Sequence, residues 1–161
     1  MNPWTRFRDV ARRCAVWLFL CGGCGEGDTR VLYANFRSIA GEAWERDSVV
    51  AFTVDVPRPG RYAFTLYARY TIDVRQANVA LLVTVSRPGV PPVEERVEMR
   101  VADDEAGWTG RGSVLKTLAF PLPARHWLDS AGVYRVEIRH RMKERKIKGI
   151  KDIGIQIHGE K

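Results

Sequence analysis

Val93-Glu94-Glu95-Arg96-Val97-Glu98-Met99-Arg100-Val101 is the stretch that decides the fold class. Val97, Met99 and Val101 fall on one side of an extended chain and Arg96, Glu98 and Arg100 on the other, a two-residue period that suits a strand with one buried and one wet face. The same alternation continues away from this stretch. Phe52, Val54 and Val56 alternate with Thr53 and Asp55, Pro57-Arg58-Pro59-Gly60 supplies a turn, and Tyr62, Phe64, Leu66 and Ala68 resume the pattern as a hairpin partner. Further strands are predicted at Val31–Phe36, Val79–Ser86, Val114–Phe120, Val133–Arg139 and Ile153–His158. Arg87-Pro88-Gly89-Val90-Pro91-Pro92 and Ser130-Ala131-Gly132 read as breakers, and Ala124–Asp129 as the one helical turn. Short strands with Gly/Pro punctuation and no long helical period predict an all-β, antiparallel β-sandwich, jelly-roll-like, with about eight strands in two sheets.

A chain of 161 residues, 45% hydrophobic and 28% charged, is sized for one such domain and is neither disordered nor collagen-like. At that size roughly two-thirds of the unfolded surface is buried on folding, so neither a disulfide nor a metal is needed to hold the core. The formal charge of +7 belongs to the whole chain. Without residues 1–23, which carry four Arg and one Asp, 22 basic residues face 18 acidic ones. Seven of those 22 lie between Arg139 and Lys151 against Glu144 alone, so the positive charge is one local run. Nucleic-acid binders spread their charge over a face, and that class is disfavoured.

The first segment reads as an address. Arg6, Arg8, Arg12 and Arg13 precede Cys14–Cys21 (CAVWLFLC), an uncharged apolar run of eight, which together form the basic and apolar regions of a secretory signal. Eight residues rise about 12 Å as a helix, far short of a ~30 Å hydrocarbon core. Cys14, Cys21 and Cys24 are the chain's three cysteines, so a chain cut before Cys24 keeps one thiol and forms no internal disulfide. Leu20-Cys21-Gly22-Gly23-Cys24 resembles a bacterial lipoprotein box, with Cys21 where the family pattern has Leu. That resemblance implies lipidation of Cys24, which becomes the new N-terminus, and two or three acyl chains make a durable anchor. The expected organisation is a signal peptide over 1–23, a lipidated N-terminus and short tether over 24–30, and a β-sandwich over 31–161.

Groups able to do chemistry are sparse. His126, His140 and His158 stand alone, without the spacing that aims two imidazoles at one metal, and are read as surface residues. Asp103-Asp104-Glu105 lacks the further ligands of a calcium loop and reads as a solvated turn. Ser113 and Ser130 have no nucleophile-elbow glycines, and no Gly-rich loop follows a strand. The expectation is therefore no enzyme, no cofactor, no metal and no small-molecule substrate. Trp44, Trp108 and Trp127 lie near loops, where packing over a sandwich end is weighed against stacking on a sugar. Gly107-Trp108-Thr109-Gly110-Arg111-Gly112 reads as a loop folded tightly over the Trp108 ring. Arg141, Lys143, Arg145, Lys146 and Lys148 read as a solvated hairpin loop, with an acidic partner or anionic headgroups as the alternative.

The ending Met142-Lys143-Glu144-Arg145-Lys146-Ile147-Lys148-Gly149-Ile150-Lys151-Asp152-Ile153-Gly154-Ile155, taken with the lipoprotein box and the Trp108 loop, resembles the GldH-type gliding-motility lipoprotein family. Met142 with Lys143, Ile147 with Gly149 and Ile150, and Asp152-Ile153-Gly154 occupy the family's terminal pattern. Trp44 with Phe52, Tyr62–Tyr70 containing Arg69, Asn78 with Leu81, and Gly132-Val133-Tyr134 follow its order. Lys143 stands for the usual Arg, and Tyr70-Thr71-Ile72 departs from the family's Tyr-Pro-Tyr. The resemblance implies a noncatalytic lipoprotein of the cell envelope, lipid-anchored on the periplasmic side or at the outer membrane, that docks proteins of the gliding and secretion machinery. A surface carbohydrate-binding module is the second reading.

Overall fold

Strands form wherever β-branched and aromatic residues alternate with polar ones. The computed structural model describes residues 30–160 apart from Asp104 and Ala106. The signal segment, Cys24 and the tether as far as residue 29 lie outside the described residues, as does part of the acidic turn at 103–105. In chain order the strands are β1 (Arg30–Ser38), β2 (Ala43–Glu45), β3 (Val50–Val56), β4 (Gly60–Thr71), β5 (Asn78–Arg87), β6 (Val90–Arg100), β7 (Ala102–Asp103), β8 (Gly107–Trp108), β9 (Leu115–Leu128), β10 (Gly132–His140), β11 (Lys146–Lys148) and β12 (Ile150–Gly159). One 3-10 turn, Ala40–Glu42, stands between β1 and β2.

Eight long strands make two four-stranded antiparallel sheets, ordered β1-β12-β4-β9 and β3-β10-β5-β6. Counting only those eight, the orders are 1-8-3-6 and 2-7-4-5, the double Greek key of a jelly roll. Two short ribbons, β11-β2 and β7-β8, are added outside the main sheets. Both sheets turn the predicted faces inward: Phe52, Val54 and Val56, then Tyr62, Phe64, Leu66 and Ala68, then Val97, Met99 and Val101 are all buried. Ile153, Ile155 and Ile157 close the core from β12.

Three local expectations are corrected. Ala124–Asp129 is no helical turn; β9 runs on to Leu128, with Leu128 opposite Gly60 and His126 opposite Tyr62, because pairing with β4 overrides local propensity. Of the breaker 87–92, only Pro88-Gly89 turns, with Gly89 at φ 78, while Pro91 and Pro92 lie within β6. Both fall where the register of this edge strand shifts between Val85 and Arg87, a bulge-type irregularity that tolerates proline. His126 and His140 are not surface residues, being 6% and 0% exposed. Each has a partner for one ring nitrogen: His126 Nε2 lies 3.0 Å from Glu95 Oε2, and His140 Nε2 lies 3.1 Å from the Trp44 carbonyl.

The topology sorts the connections by length. The β3–β4, β5–β6 and β9–β10 links (57–59, 88–89 and 129–131) are tight and share one end of the sandwich. Arg30, where the described chain begins, pairs with Gly159 at that same end. Segments 39–49, 72–77, 101–114 and 141–149 gather at the opposite end.

Candidate docking end of the sandwich

The 141–149 segment is fixed to the body by buried residues. Ile147 in β11 lies directly opposite Trp44 in β2, and both are fully buried. The Trp44 indole donates to the Ser48 carbonyl at 3.3 Å and meets the His140 ring edge-on at 5.4 Å. Burial pushes the His140 pKa below the ordinary imidazole value; the Trp44 carbonyl bond opposes that shift and the Arg46 charge adds to it. His140 is thereby favoured neutral, with Nε2–H donating to Trp44. Gly149 adopts φ 84, and a Cβ there would stand 2.7 Å from the Val74 nitrogen. Its N–H donates to the Glu42 carbonyl and its own carbonyl accepts from Thr71, stitching three connections together. Met142 adds a fourth tie, its Sδ accepting from the Ala80 N–H at 3.2 Å.

The basic run is therefore more than a solvated loop. Its Lys and Arg side chains are exposed as expected, but Ile147 belongs to the core and 146–148 are strand. Its charge is also partly neutralised. Glu45 takes Lys146 at 3.0 Å and Arg145 at 4.0 Å and Glu42 takes Lys151 at 3.9 Å, whereas Arg46, donating to the Lys143 carbonyl, adds a further cation. Lys146 and Lys148 meet Arg75, which the linear sequence did not single out, around a cleft of about 290 Å³ that Asp73 and Gln76 complete. Arg75 comes from the 72–77 connection, which the close approach of Gly149 to Val74 holds beside the lysine strand. Arg141 is held apart, beside Arg96 and Glu98 at the β5–β6 edge.

Trp108 sits on the β7–β8 ribbon, half-buried against the core, with its ring 6.5 Å from that of Tyr70. The Tyr70 hydroxyl reaches the carbonyls of Val101, at 3.1 Å, and Thr109, and burial pushes its pKa up. Gly110, at φ 83, brings the glycine loop against Thr117, whose backbone is paired with Arg111. The glycine loop thus packs on the start of β9, while the Trp108 ring faces Tyr70 and the core. Trp44 is wholly buried, so its ring is unavailable for stacking on a sugar. Trp127 holds a strand position opposite Arg61; its side chain lies outside the described residues. Among the described residues, no group of three or more His, Cys, Asp or Glu side chains is placed to hold a metal.

The residues that carried the family resemblance are mostly those that do this fastening. Trp44, Ile147 and Ile150 are buried, Gly149 makes the close approach, Met142 ties 141–149 to β5, and Asp152 and Gly154 organise the neighbouring sheet face. Fold and site together define a jelly-roll module with one rigid, loop-built, partly cationic end. The chain belongs to the GldH lipoprotein family, whose sequence model matches residues 31–157. Membership makes it a gliding-motility-associated lipoprotein and implies a membrane-anchored place in the cell envelope. No helix of the described residues is long and apolar enough to cross a membrane.

No curated protein matches the chain. Among solved structures it is similar to the TNF Eiger from S. frugiperda, at 11% identity and TM-score 0.37 over 79% of this chain and 92% of that one. It is similar to TmCBM61, solved with β-1,4-galactotriose, at 12% identity and TM-score 0.38 over 78% and 86%. A third is dimeric latent PorU from Porphyromonas gingivalis, at 9% identity and TM-score 0.37 over 82% of this chain and 13% of that one.

Proposed function

We propose that this chain is a noncatalytic lipoprotein, held to a membrane through acylated Cys24, that docks other envelope proteins through the long connections at one end of its jelly roll. One observation carries the reading. A fully buried residue, Ile147, stands between two exposed lysines, Lys146 and Lys148, so the lysines are presented on a pre-shaped surface. Rigid presentation lowers the ordering cost of association, which suits a docking surface. Lys143 and Arg145 precede that surface on the same segment, Trp108 belongs to the neighbouring ribbon, and Arg141 stands apart at the β5–β6 edge.

Two experiments test it. Growth with a labelled fatty acid should tag the wild-type protein and leave Cys24→Ala untagged. A photocrosslinking side chain at Lys148 should capture envelope proteins in cells, whereas the same group at Thr53, on the charged outer face of β3, should not. Equal capture at both positions would reject docking through this end.

A further inference from the structure

The position of the cleft relative to the start of the domain constrains what can reach it. This step rests on the reading of Cys24 as the anchor. Five residues separate Cys24 from Arg30, so the anchor and the first strand stand at most about 20 Å apart however those residues are arranged. Arg30 lies at the tight-turn end, opposite Gly159, which in turn lies opposite Tyr62. The cleft lies at the other end: Gly149 accepts from Thr71, the last residue of β4. From the first to the last of the 12 residues of β4, at a rise of about 3.3 Å per step, the two ends stand roughly 36 Å apart.

The end nearest the anchor has cations of its own. Arg30, Arg58 and Arg61 are exposed there, gathered by the Tyr62 hydroxyl donating to the Arg58 carbonyl and the Glu160 N–H donating to that of Arg61. Arginines beside a lipid anchor are attracted to anionic headgroups within a Debye length of about 8–10 Å. With that end turned to the bilayer, the distal cations stand roughly 36 Å farther out, beyond that range.

The distal cleft holds Arg75, Lys146 and Lys148 against Asp73, which is engaged by the Thr71 hydroxyl at 3.1 Å, and Glu42, paired with Lys151 at 3.9 Å, lines the adjoining surface. Lys146 is shared with Glu45, while no ion pair to Arg75 or Lys148 occurs among the described residues. Ile72 stands at the edge of the adjoining surface, 61% exposed. Spare cations beside an exposed aliphatic side chain complement a segment that alternates carboxylates with apolar residues. We propose that this cleft is presented away from the anchoring bilayer and receives an acidic segment of a partner protein, rather than the headgroups of that bilayer.

The test uses the acylated mature protein on phosphatidylcholine vesicles containing phosphatidylglycerol and a headgroup-linked quencher, with one fluorophore at Ser130→Cys or at Arg141→Cys. Quenching should be several-fold stronger at position 130. Comparable or stronger quenching at 141 on acylated protein would overturn the orientation and leave the anchor intact. Mass analysis of the N-terminal peptide from the same sample separates this from loss of the anchor itself, since an unmodified Cys24 would overturn both readings. On quencher-free phosphatidylcholine vesicles, a fluorescein-labelled (Glu-Leu)4 peptide should bind with an affinity that falls with salt. Arg75→Glu with Lys148→Glu should weaken it at least tenfold; unchanged binding in that variant would overturn the choice of ligand.

Discussion

Phe36 in β1 lies directly opposite Gly154 in β12, and its ring occupies the space that a Cβ on residue 154 would take, with ring carbons 2.6 Å from that point. Tyr67 of β4 faces Gly154 from the other side of the register, and the Phe36 and Tyr67 rings meet 5.8 Å apart. The Arg69 guanidinium stands 4.5 Å from the Phe36 ring centroid. An outer sheet face that would otherwise expose backbone is thus covered by two aromatic rings across a glycine.

Gly154→Val should therefore be costly although the position has an ordinary strand conformation. The ring must leave or β1 must shift, a strain of about 1–3 kcal/mol. Urea denaturation should show the lower midpoint, and Phe36→Ala should relieve most of the difference between Gly and Val at 154. If the Gly154→Val penalty is the same with and without Phe36, the ring contact is not its cause.

Asp152, 4% exposed, accepts from the Ser38 hydroxyl at 2.7 Å and pairs with Arg69 Nε at 3.1 Å, so it links β1, β12 and β4. Asp152→Ala leaves the Ser38 hydroxyl and the half-exposed Arg69 without this partner and should cost about 1–3 kcal/mol. Ser38→Ala should cost less, and the double variant should cost less than the sum of the two, as expected for groups sharing one interaction. Strict additivity in chemical denaturation would show that the two act independently.

The sandwich was legible in the sequence because half-buried strands alternate, and Val97, Met99 and Val101 had no other consistent reading. The misread places are those where tertiary pairing outweighs local preference. Residues 124–128 extend because β4 offers them a partner, and Ile147 is core only because Trp44, a hundred residues earlier, lies opposite it. The candidate site was legible in part: Lys146 and Lys148 announce themselves as charge, whereas Arg75 is one arginine in an unremarkable loop until Gly149 packs against Val74. Phe36 over Gly154 was equally hidden, since a glycine in a strand pattern does not say which ring will cover it.

His140 should give the protein a pH-dependent component of stability. Its pKa is lowered in the folded state, chiefly by burial, so the unfolded chain takes up this proton first as pH falls. The contribution is complete above the unfolded value of about 6.5 and is lost as pH drops through the lower folded value. His140→Gln keeps an amide donor for the Trp44 carbonyl but cannot titrate. Comparing urea midpoints at pH 7.5 and 5, the wild type should lose more stability than this variant over the same interval; parallel losses would assign the dependence to other groups.

At the distal end, the side chains that hold the structure together differ from those presented to solvent. Ile147 is fully buried against Trp44, so Ile147→Ala removes packed methyl groups and should destabilise the protein by about 2–5 kcal/mol. Lys148, one residue on, is exposed and without an ion pair among the described residues, so Lys148→Ala should leave stability within about 0.5 kcal/mol of wild type. If docking runs through the exposed charges, partner capture in cells should respond in the opposite order once expression is matched. Lys148→Ala would then reduce capture in a fully stable protein, whereas Ile147→Val, which keeps most of the packing, would leave it intact. A Lys148→Ala protein that captures partners as well as wild type would show that Lys148 is no part of the docking surface, because the substitution leaves the packing of this end in place and removes only what the side chain offers to solvent.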